Sequence, residues 1–247
     1  MKICRFQKGG EKRIGIVDGD CIWVCDNDLR RTLEFYHIDE IELVPVTAPS
    51  KIVCVGRNYA EHAEELGNEV PAEPLLFLKA PSAVIAHGSS IVIPPQSSQV
   101  EHEGELAVVI GQRCKDLSAN EGAMNYVFGF TCLNDVTARD IQRKDVQFTR
   151  GKSFDTFCPI GPFIETELDV SDIRVTTRVN GIVKQDGRTS QMVFPVDCLI
   201  RYISNMMTLN VGDIIATGTP SGVSPMKTGD ICEVEIEGTG VLRNPVL

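Results

Sequence analysis

The sequence predicts an α+β fold dominated by β structure, and three observations carry that expectation. Apolar runs of strand length recur between turn signals, at 52–55, 75–78, 106–110, 127–133 and 231–236. Asp18-Gly19-Asp20 and Asn180-Gly181 join segments suited to hairpins. One stretch alone, 195–207, shows a persuasive helical period: proline suits its first turn, and apolar residues stand at 199, 200, 203, 206 and 207. Its methionines read as core filler.

The 247 residues are 43% hydrophobic and 23% charged, which fits one soluble domain with a small appendage. We divide them into a short β-rich unit over 1–48 and a larger unit over 49–247. Val44-Pro45-Val46-Thr47-Ala48-Pro49 reads as the extended linker, since each proline biases its predecessor away from helix. Within the first unit, 13–17 and 21–24 flank the Asp-Gly-Asp turn, and 29–35 reads as one or two helical turns. A net charge of −10 leaves nothing basic to release counterions from phosphates, which argues against a nucleic-acid partner and disfavours an anionic membrane. No apolar run nears the roughly 18 residues of a membrane span. The first ten residues lack the continuous apolar core of a signal peptide. Nine cysteines, scattered and without a Cys-x-x-Cys pair, read as reduced and buried, the pattern of a cytoplasmic protein.

Chemistry-bearing residues follow in chain order. The strand at 52–55 empties into Gly56-Arg57-Asn58-Tyr59 and a short helix ended by Gly67. His62 and Glu65 are three apart and share a helical face. They are either a general base with its orienting carboxylate or an ordinary surface pair. Residues 69–74, acidic and proline-bearing, suit a movable lid. Strands are expected at 75–79 and 91–95. In Val100-Glu101-His102-Glu103-Gly104-Glu105, a continuous strand places the three glutamates on one face, roughly 7 Å apart. At an effective dielectric near 20 each neighbouring pair repels by about 2 kcal/mol. A solvated face carries that cheaply, whereas a half-buried site asks for a cation. A short helix is expected over 119–126.

The run at 127–133 then delivers Asn134-Asp135. Arg139, Gln142, Arg143, Lys144 and Lys152 gather beyond it, either to read an anion or as a solvated basic patch. The small-residue loop 217–223 offers backbone amides able to hold a carboxylate. Glu233, Glu235 and Glu237 repeat the alternating acidic pattern on what reads as a solvated strand. No internal repeat, phosphate loop or dinucleotide fingerprint is present, and Ser221 lacks the strand–turn–helix context of a serine hydrolase.

Five segments occur in a telling order: Gly56-Arg57-Asn58-Tyr59 with His62 and Glu65, then Glu103-Gly104-Glu105-Leu106, Asn134-Asp135-Val136-Thr137-Ala138-Arg139-Asp140, Gly151-Lys152-Ser153-Phe154 and Thr217-Gly218-Thr219-Pro220. Together they resemble the fumarylacetoacetate hydrolase family. The likeness is to its short bacterial and archaeal members of the acylpyruvase and 2-hydroxyhepta-2,4-diene-1,7-dioate isomerase type. It spans about 50–247, and the first 48 residues are similar to the N-terminal unit many members carry.

The resemblance implies a mixed β-sandwich or roll with a few short helices, a homodimer, and Mg²⁺ or Mn²⁺ held by Glu103, Glu105 and Asp135. It leaves Glu101 and the 233–237 run as non-ligands. Three carboxylates without His or Cys independently suit such a hard cation. It further implies that His62 and Glu65 activate water, that Lys152 stabilises oxyanion or enolate charge, and that Arg57, Arg139, Gln142 and Thr219 line the substrate pocket. The expected activity is metal-dependent enolate chemistry on a small 2-oxo acid, with C–C hydrolysis of an acylpyruvate foremost. Isomerisation of a hydroxymuconate-type diacid and decarboxylation of oxaloacetate use the same site, and a non-catalytic 2-oxo acid or metal-binding protein is the reading from another class. The tyrosine-degradation branch carries a further carboxylate just before the histidine helix. Val53-Cys54-Val55-Gly56 has none, which points away from fumarylacetoacetate and toward smaller 2-oxo acids.

Overall fold

The computed structural model describes residues 1–247. The chain opens with β1 (Lys2–Lys8), β2 (Glu11–Asp18), β3 (Cys21–Cys25), β4 (Arg31–His37) and β5 (Glu42–Leu43). It continues through β6 (Ile52–Gly56), α1 (Ala60–Glu65), β7 (Leu75–Lys79), β8 (Val84–Ile85), β9 (Val100–Glu101) and β10 (Gly104–Ile110). Next come β11 (Val127–Asn134), β12 (Thr137–Ala138), α2 (Arg139–Lys144), α3 (Thr149–Lys152) and β13 (Cys158–Glu165). The last third holds β14 (Arg174–Val179), β15 (Ile182–Arg188), α4 (Val196–Met206), β16 (Ile214–Ala216), β17 (Ile231–Ile236) and β18 (Gly240–Pro245). The fold is α+β and mostly β.

A large sheet runs β4-β3-β2-β1-β13-β11-β10-β16-β6-β7, and a second sheet runs β15-β14-β17-β18. β10 is buried along its whole length because both of its faces are covered. Leu106, Val108 and Ile110 pack with Leu199, Ile200 and Ile203 of α4 and with Val175, Val234 and Ile236 of the second sheet. Ala107 and Val109 pack on the other side with Val46, Ala138, Phe157 and Ile160. That two-sided burial is why the strand reads as an unbroken apolar run rather than an alternating one. The N-terminal ribbon has a small core of Cys4, Phe6, Ile22 and Val24. It joins the large sheet where Ile3 pairs with Ile164.

Four local expectations change. Residues 31–37 form a strand, not helical turns, because Phe35 registers with Trp23 and the rings meet at 4.9 Å. Cross-strand aromatic contact outweighs a weak local helical preference. The stretch 119–126 yields only one 3-10 turn, Ala123–Tyr126. Residues 91–95 form no strand: Ile91 makes a single bridge to Val246, and Pro94 and Pro95 remove two donors. Of the methionines closing α4, Met207 packs on the core while Met206 is exposed. All nine cysteines are free, and no helix is long and apolar enough to cross a membrane.

β6 and β16 pair in parallel, Ile52 with Ile214, and both lead to the loops described below. Asp213 ties their starts together. Its fully buried carboxylate accepts hydrogen bonds from the amides of Ser50 (2.9 Å), Lys51 (3.1 Å) and Asn210 (2.8 Å), from the Ser50 hydroxyl (2.7 Å), and from the Lys51 ammonium. Burial pushes this carboxyl up, but Lys51, Ser50 and the amides outweigh burial and hold it below its ordinary value. A depressed carboxyl stabilises the fold fully above the unfolded-state pKa and loses that contribution as pH falls through the folded one. Asp213→Ala is therefore expected to lower the unfolding free energy by about 3 kcal/mol at neutral pH. In urea titrations, the gap between variant and wild type narrows at acid pH.

Candidate active site

The acidic stretch does not form one continuous strand. Val100 and Glu101 belong to β9, which pairs with β12, and β10 begins only at Gly104, leaving 102–103 between them. The expectation that 101, 103 and 105 share one strand face therefore fails, for the register breaks at His102-Glu103. Gly104 permits the close packing at the break: a Cβ there would lie 2.0 Å from the Thr177 hydroxyl oxygen. Glu103 and Glu105 instead converge with Asp135, one oxygen from each carboxylate lying within 4.8 Å of the others. The two segments are hydrogen-bonded to each other, Glu103 N–H to Asn134 Oδ1 (2.9 Å) and Asp135 N–H to Glu103 O (2.8 Å).

Three buried cations face these carboxylates. Lys152 Nζ donates to Glu103 Oε2 (2.6 Å) and Asp135 Oδ2 (2.7 Å). Lys79 Nζ donates to Asp135 Oδ1 (2.6 Å) and Val136 O (3.1 Å). Arg139 spends its guanidinium on Glu101 (2.7 Å), Glu103 and Gln142 Oε1 (2.5 Å). Burial raises the Glu103 carboxyl, but Lys152 and Arg139 outweigh it and hold the group well below its ordinary value. Burial likewise lowers the Lys152 ammonium, and Asp135 with Glu103 outweigh it, so this lysine stays charged.

Glu105 is the exception. It is 2% exposed, meets no cation, and accepts only the Gly218 N–H, at 2.8 Å. Burial, Asp135 and Glu103 push its carboxyl well above the ordinary range. Two carboxylates at 4.8 Å repel by about 3.5 kcal/mol at an effective dielectric near 20. An under-compensated buried carboxylate in an all-oxygen donor set fits a hard divalent cation such as Mg²⁺ or Mn²⁺.

A cavity of about 340 Å³ opens beside this cluster. His62, Lys152, Arg57, Arg139, Gln142, Thr219 and the three carboxylates all line it. Glu65 stands behind, its Oε2 3.2 Å from His62 Nδ1. The Gly222 amide holds the same carboxylate, at 3.0 Å to Oε1. The 217–223 loop thus does hold carboxylates with its amides, and they are the protein's own: Glu105 and Glu65. Arg57 sits in the left-handed region at φ 57°, is half-buried, and has no ion pair or hydrogen-bonded partner for its guanidinium. Such a conformation is costly for a non-glycine residue and concentrates at functional sites. The Thr219 hydroxyl is already engaged, donating to Gly104 O (2.8 Å) and accepting from Gln185 (2.7 Å).

Sequence reasoning missed Lys79, which ends an apolar strand with no charged neighbour and gave no signal beyond that isolation. It missed Asn68 and the Phe77–Phe148 pair (5.4 Å), which form part of the wall. The other acidic run behaves as a surface: Glu235 pairs with Arg178 (2.6 Å), Glu233 with Arg243 (3.4 Å), and Glu237 accepts the Arg174 N–H.

Comparison with known proteins agrees with this geometry. The fumarylacetoacetate (FAA) hydrolase C-terminal family profile matches residues 51–247. An uncharacterized protein of Methanocaldococcus jannaschii is 47% identical over 245 residues, covering 99% of this chain and 98% of that protein. A mitochondrial oxaloacetate tautomerase of Bos taurus is 47% identical over 217 residues, 83% of this chain and 69% of that protein. The crystal structure of a 2-hydroxyhepta-2,4-diene-1,7-dioate isomerase from Mycobacterium marinum superposes with a TM-score of 0.92 at 39% identity, over 100% of this chain and 98% of that one. With the family profile spanning four-fifths of its length, the chain belongs to the fumarylacetoacetate hydrolase family.

Proposed function

We propose that the protein interconverts the enol and keto forms, or shifts the double bond, of a small dicarboxylic 2-oxo acid of the oxaloacetate type. The observation that carries this reading is Arg57, a half-buried guanidinium on the cavity wall with no partner of its own. A 2-oxo acid with one carboxylate leaves that charge unanswered, whereas a diacid pairs it. The activities named for the Bos taurus and Mycobacterium marinum relatives, both acting on dicarboxylic 2-oxo or 2-hydroxy acids, support the same choice.

Glu103, Glu105 and Asp135 would hold Mg²⁺ or Mn²⁺, which supplies positive charge to polarise the 2-oxo group and lower the cost of its enolate. Lys152, kept charged between Glu103 and Asp135, is a donor at the developing oxyanion and not a base. His62, with its Nδ1 turned to Glu65, is left to carry the proton between the enol oxygen and C3. No atom is gained or lost in that exchange. Phe77, whose ring centre lies 5.0 Å from Lys152 Nζ, and Phe148 make the wall beside the lysine apolar and so limit water there.

The His62–Glu65 pair also favours a second reading, the hydrolysis of an acylpyruvate expected from the sequence, with His62 activating water. One experiment separates the two. Decay of the oxaloacetate enol absorbance and release of pyruvate from acetylpyruvate are followed with Mn²⁺ and after chelation. Metal-dependent enol decay without pyruvate supports isomerisation. Pyruvate from acetylpyruvate alone shifts the assignment to hydrolysis, and pyruvate from oxaloacetate to decarboxylation. Arg57→Gln is expected to raise KM for oxaloacetate about tenfold and to leave acetylpyruvate unaffected.

Lys152→Ala is expected to lower kcat about 100-fold or more. Mn²⁺ affinity does not fall in this variant, because the change withdraws a cation that competes for Glu103 and Asp135. Calorimetric titration with Mn²⁺ beside a kinetic assay checks both halves, and a retained kcat refutes the role.

Metal binding is also expected to strengthen as pH rises above the ordinary carboxyl range. Burial, Asp135 and Glu103 raise the Glu105 carboxyl, so a metal ion competes with a proton for it. Plots of Mn²⁺ affinity against pH show the slope, and Glu105→Gln flattens it while weakening binding.

A further inference from the structure

We infer that Gln185 is a positioning residue that holds the carboxylate turn 103–105 and the cavity loop 217–220 at a fixed separation. It lies on β15 in the second sheet, outside every motif of the sequence reading, and is fully buried. All four hydrogen-bonding positions of its amide are filled. Oε1 accepts from Gly104 N–H (2.9 Å) and faces His102 Nδ1 (3.1 Å). Nε2 donates to the Thr219 hydroxyl (2.7 Å) and to Pro220 O (2.7 Å).

The amide orientation is forced. Turned over, it would set an N–H against the Gly104 N–H and a carbonyl against Pro220 O. The same logic fixes the neighbour: facing an oxygen that only accepts, His102 carries hydrogen on Nδ1. Its Nε2 lies 2.9 Å from Ser224 Oγ. β15 also presses on the loop, since a Cβ on Gly187 would come within 2.5 Å of the Pro220 Cβ. One half of a single side chain thus grips the peptide between Glu103 and Glu105, and the other half grips the residue that faces the cavity. Errors of about 1 Å in such placement cost enzymes heavily, so a rigid buried amide is a suitable tie.

This role rests on the metal-and-2-oxo-acid reading of the cavity, and its test exploits the division of the amide. Gln185→Leu removes both grips; Gln185→Glu keeps the acceptor toward Gly104 and loses the donor toward Thr219 and Pro220. Mn²⁺ binding is measured by electron paramagnetic resonance, and oxalate binding to the Mn²⁺-loaded protein by calorimetry. Gln185→Leu is expected to weaken both about tenfold. Gln185→Glu is expected to keep Mn²⁺ affinity undiminished and to weaken oxalate about tenfold. A double-mutant cycle with Thr219→Val separates lost positioning from added charge, because losses routed through Thr219 do not add.

The proposal is overturned by equal Mn²⁺ losses in the two variants, by no loss in either, or by additive oxalate losses in the cycle. If Gln185→Leu does not fold, Gln185→Glu and the cycle decide alone. Wild-type protein that binds neither Mn²⁺ nor oxalate overturns the functional reading itself, and the positioning role with it.

Discussion

The rest of the site depends on one constraint, that four carboxylates drawn into the interior must be matched by charge. Glu101, Glu103, Glu105 and Asp135 are each at most 5% exposed, and Lys79, Arg139 and Lys152 at most 2%. Buried ions persist only when paired and hydrogen-bonded. The pairing here is specific: Arg139 answers Glu101 and Glu103, Lys79 answers Asp135, and Lys152 bridges Glu103 and Asp135. With all four carboxylates ionised, four negative and three positive charges leave one negative, and the geometry puts it on Glu105. On the proposed reading a divalent ion would turn that residual charge to plus one and Arg57 would make it plus two, the other two charged wall residues, Arg143 and Asp145, cancelling each other. A dianion would then balance the cavity, in keeping with the diacid proposed as its substrate.

The constraint also explains why the two sheets must meet at this place. No single strand could present Glu103, Glu105 and Asp135 to one point, because same-face neighbours on a strand stay too far apart. The break between β9 and β10 removes that limit, and it brings Gly104 so near Thr177 that no larger residue fits. The turn then needs support from outside its own strand. It comes from Asn134 in the large sheet and from Gln185 in the second. The ionisable groups of the site thus lie outside the second sheet, whose contribution to the turn is the neutral amide of Gln185, while Asn134 adds a second amide from the large sheet.

Much of this was legible in the sequence because the chemistry is carried by residues in short ordered motifs. Glu103, Glu105, Asp135, Lys152, His62 and Arg57 all reach one cavity, and all but Lys152 sit near the end of a strand or in a short helix whose apolar lead-in was readable. What was not legible depends on long-range contact. Lys79 meets Asp135 across 56 positions, and Gln185 meets Gly104 across 81, so neither leaves a local pattern. Arg139 was expected on the cavity wall, and it is there. Only its partners reveal that the guanidinium is spent holding Glu101 and Glu103. The strand at 31–37 was hidden for the same reason, since its preference is set by Trp23 on the neighbouring strand.

The two acidic runs show what composition leaves undecided. Glu103-Gly104-Glu105 and Glu233-Val234-Glu235 share a spacing, yet only the first can hold a cation. Glu233 and Glu235 lie on a partly solvated face, each with an arginine beside it, where an ion pair is worth at most about 1 kcal/mol and water screens the repulsion. Glu105 is 2% exposed and meets no cation, so the cost of its charge falls on the fold unless a proton or a metal ion answers it. Spacing therefore identifies a candidate pair, and burial together with the count of neighbouring cations decides whether the pair binds. By that criterion a lysine placed within reach of Glu105 would do to the site what Arg178 does to Glu235, converting a carboxylate free to take a cation into half of an ion pair.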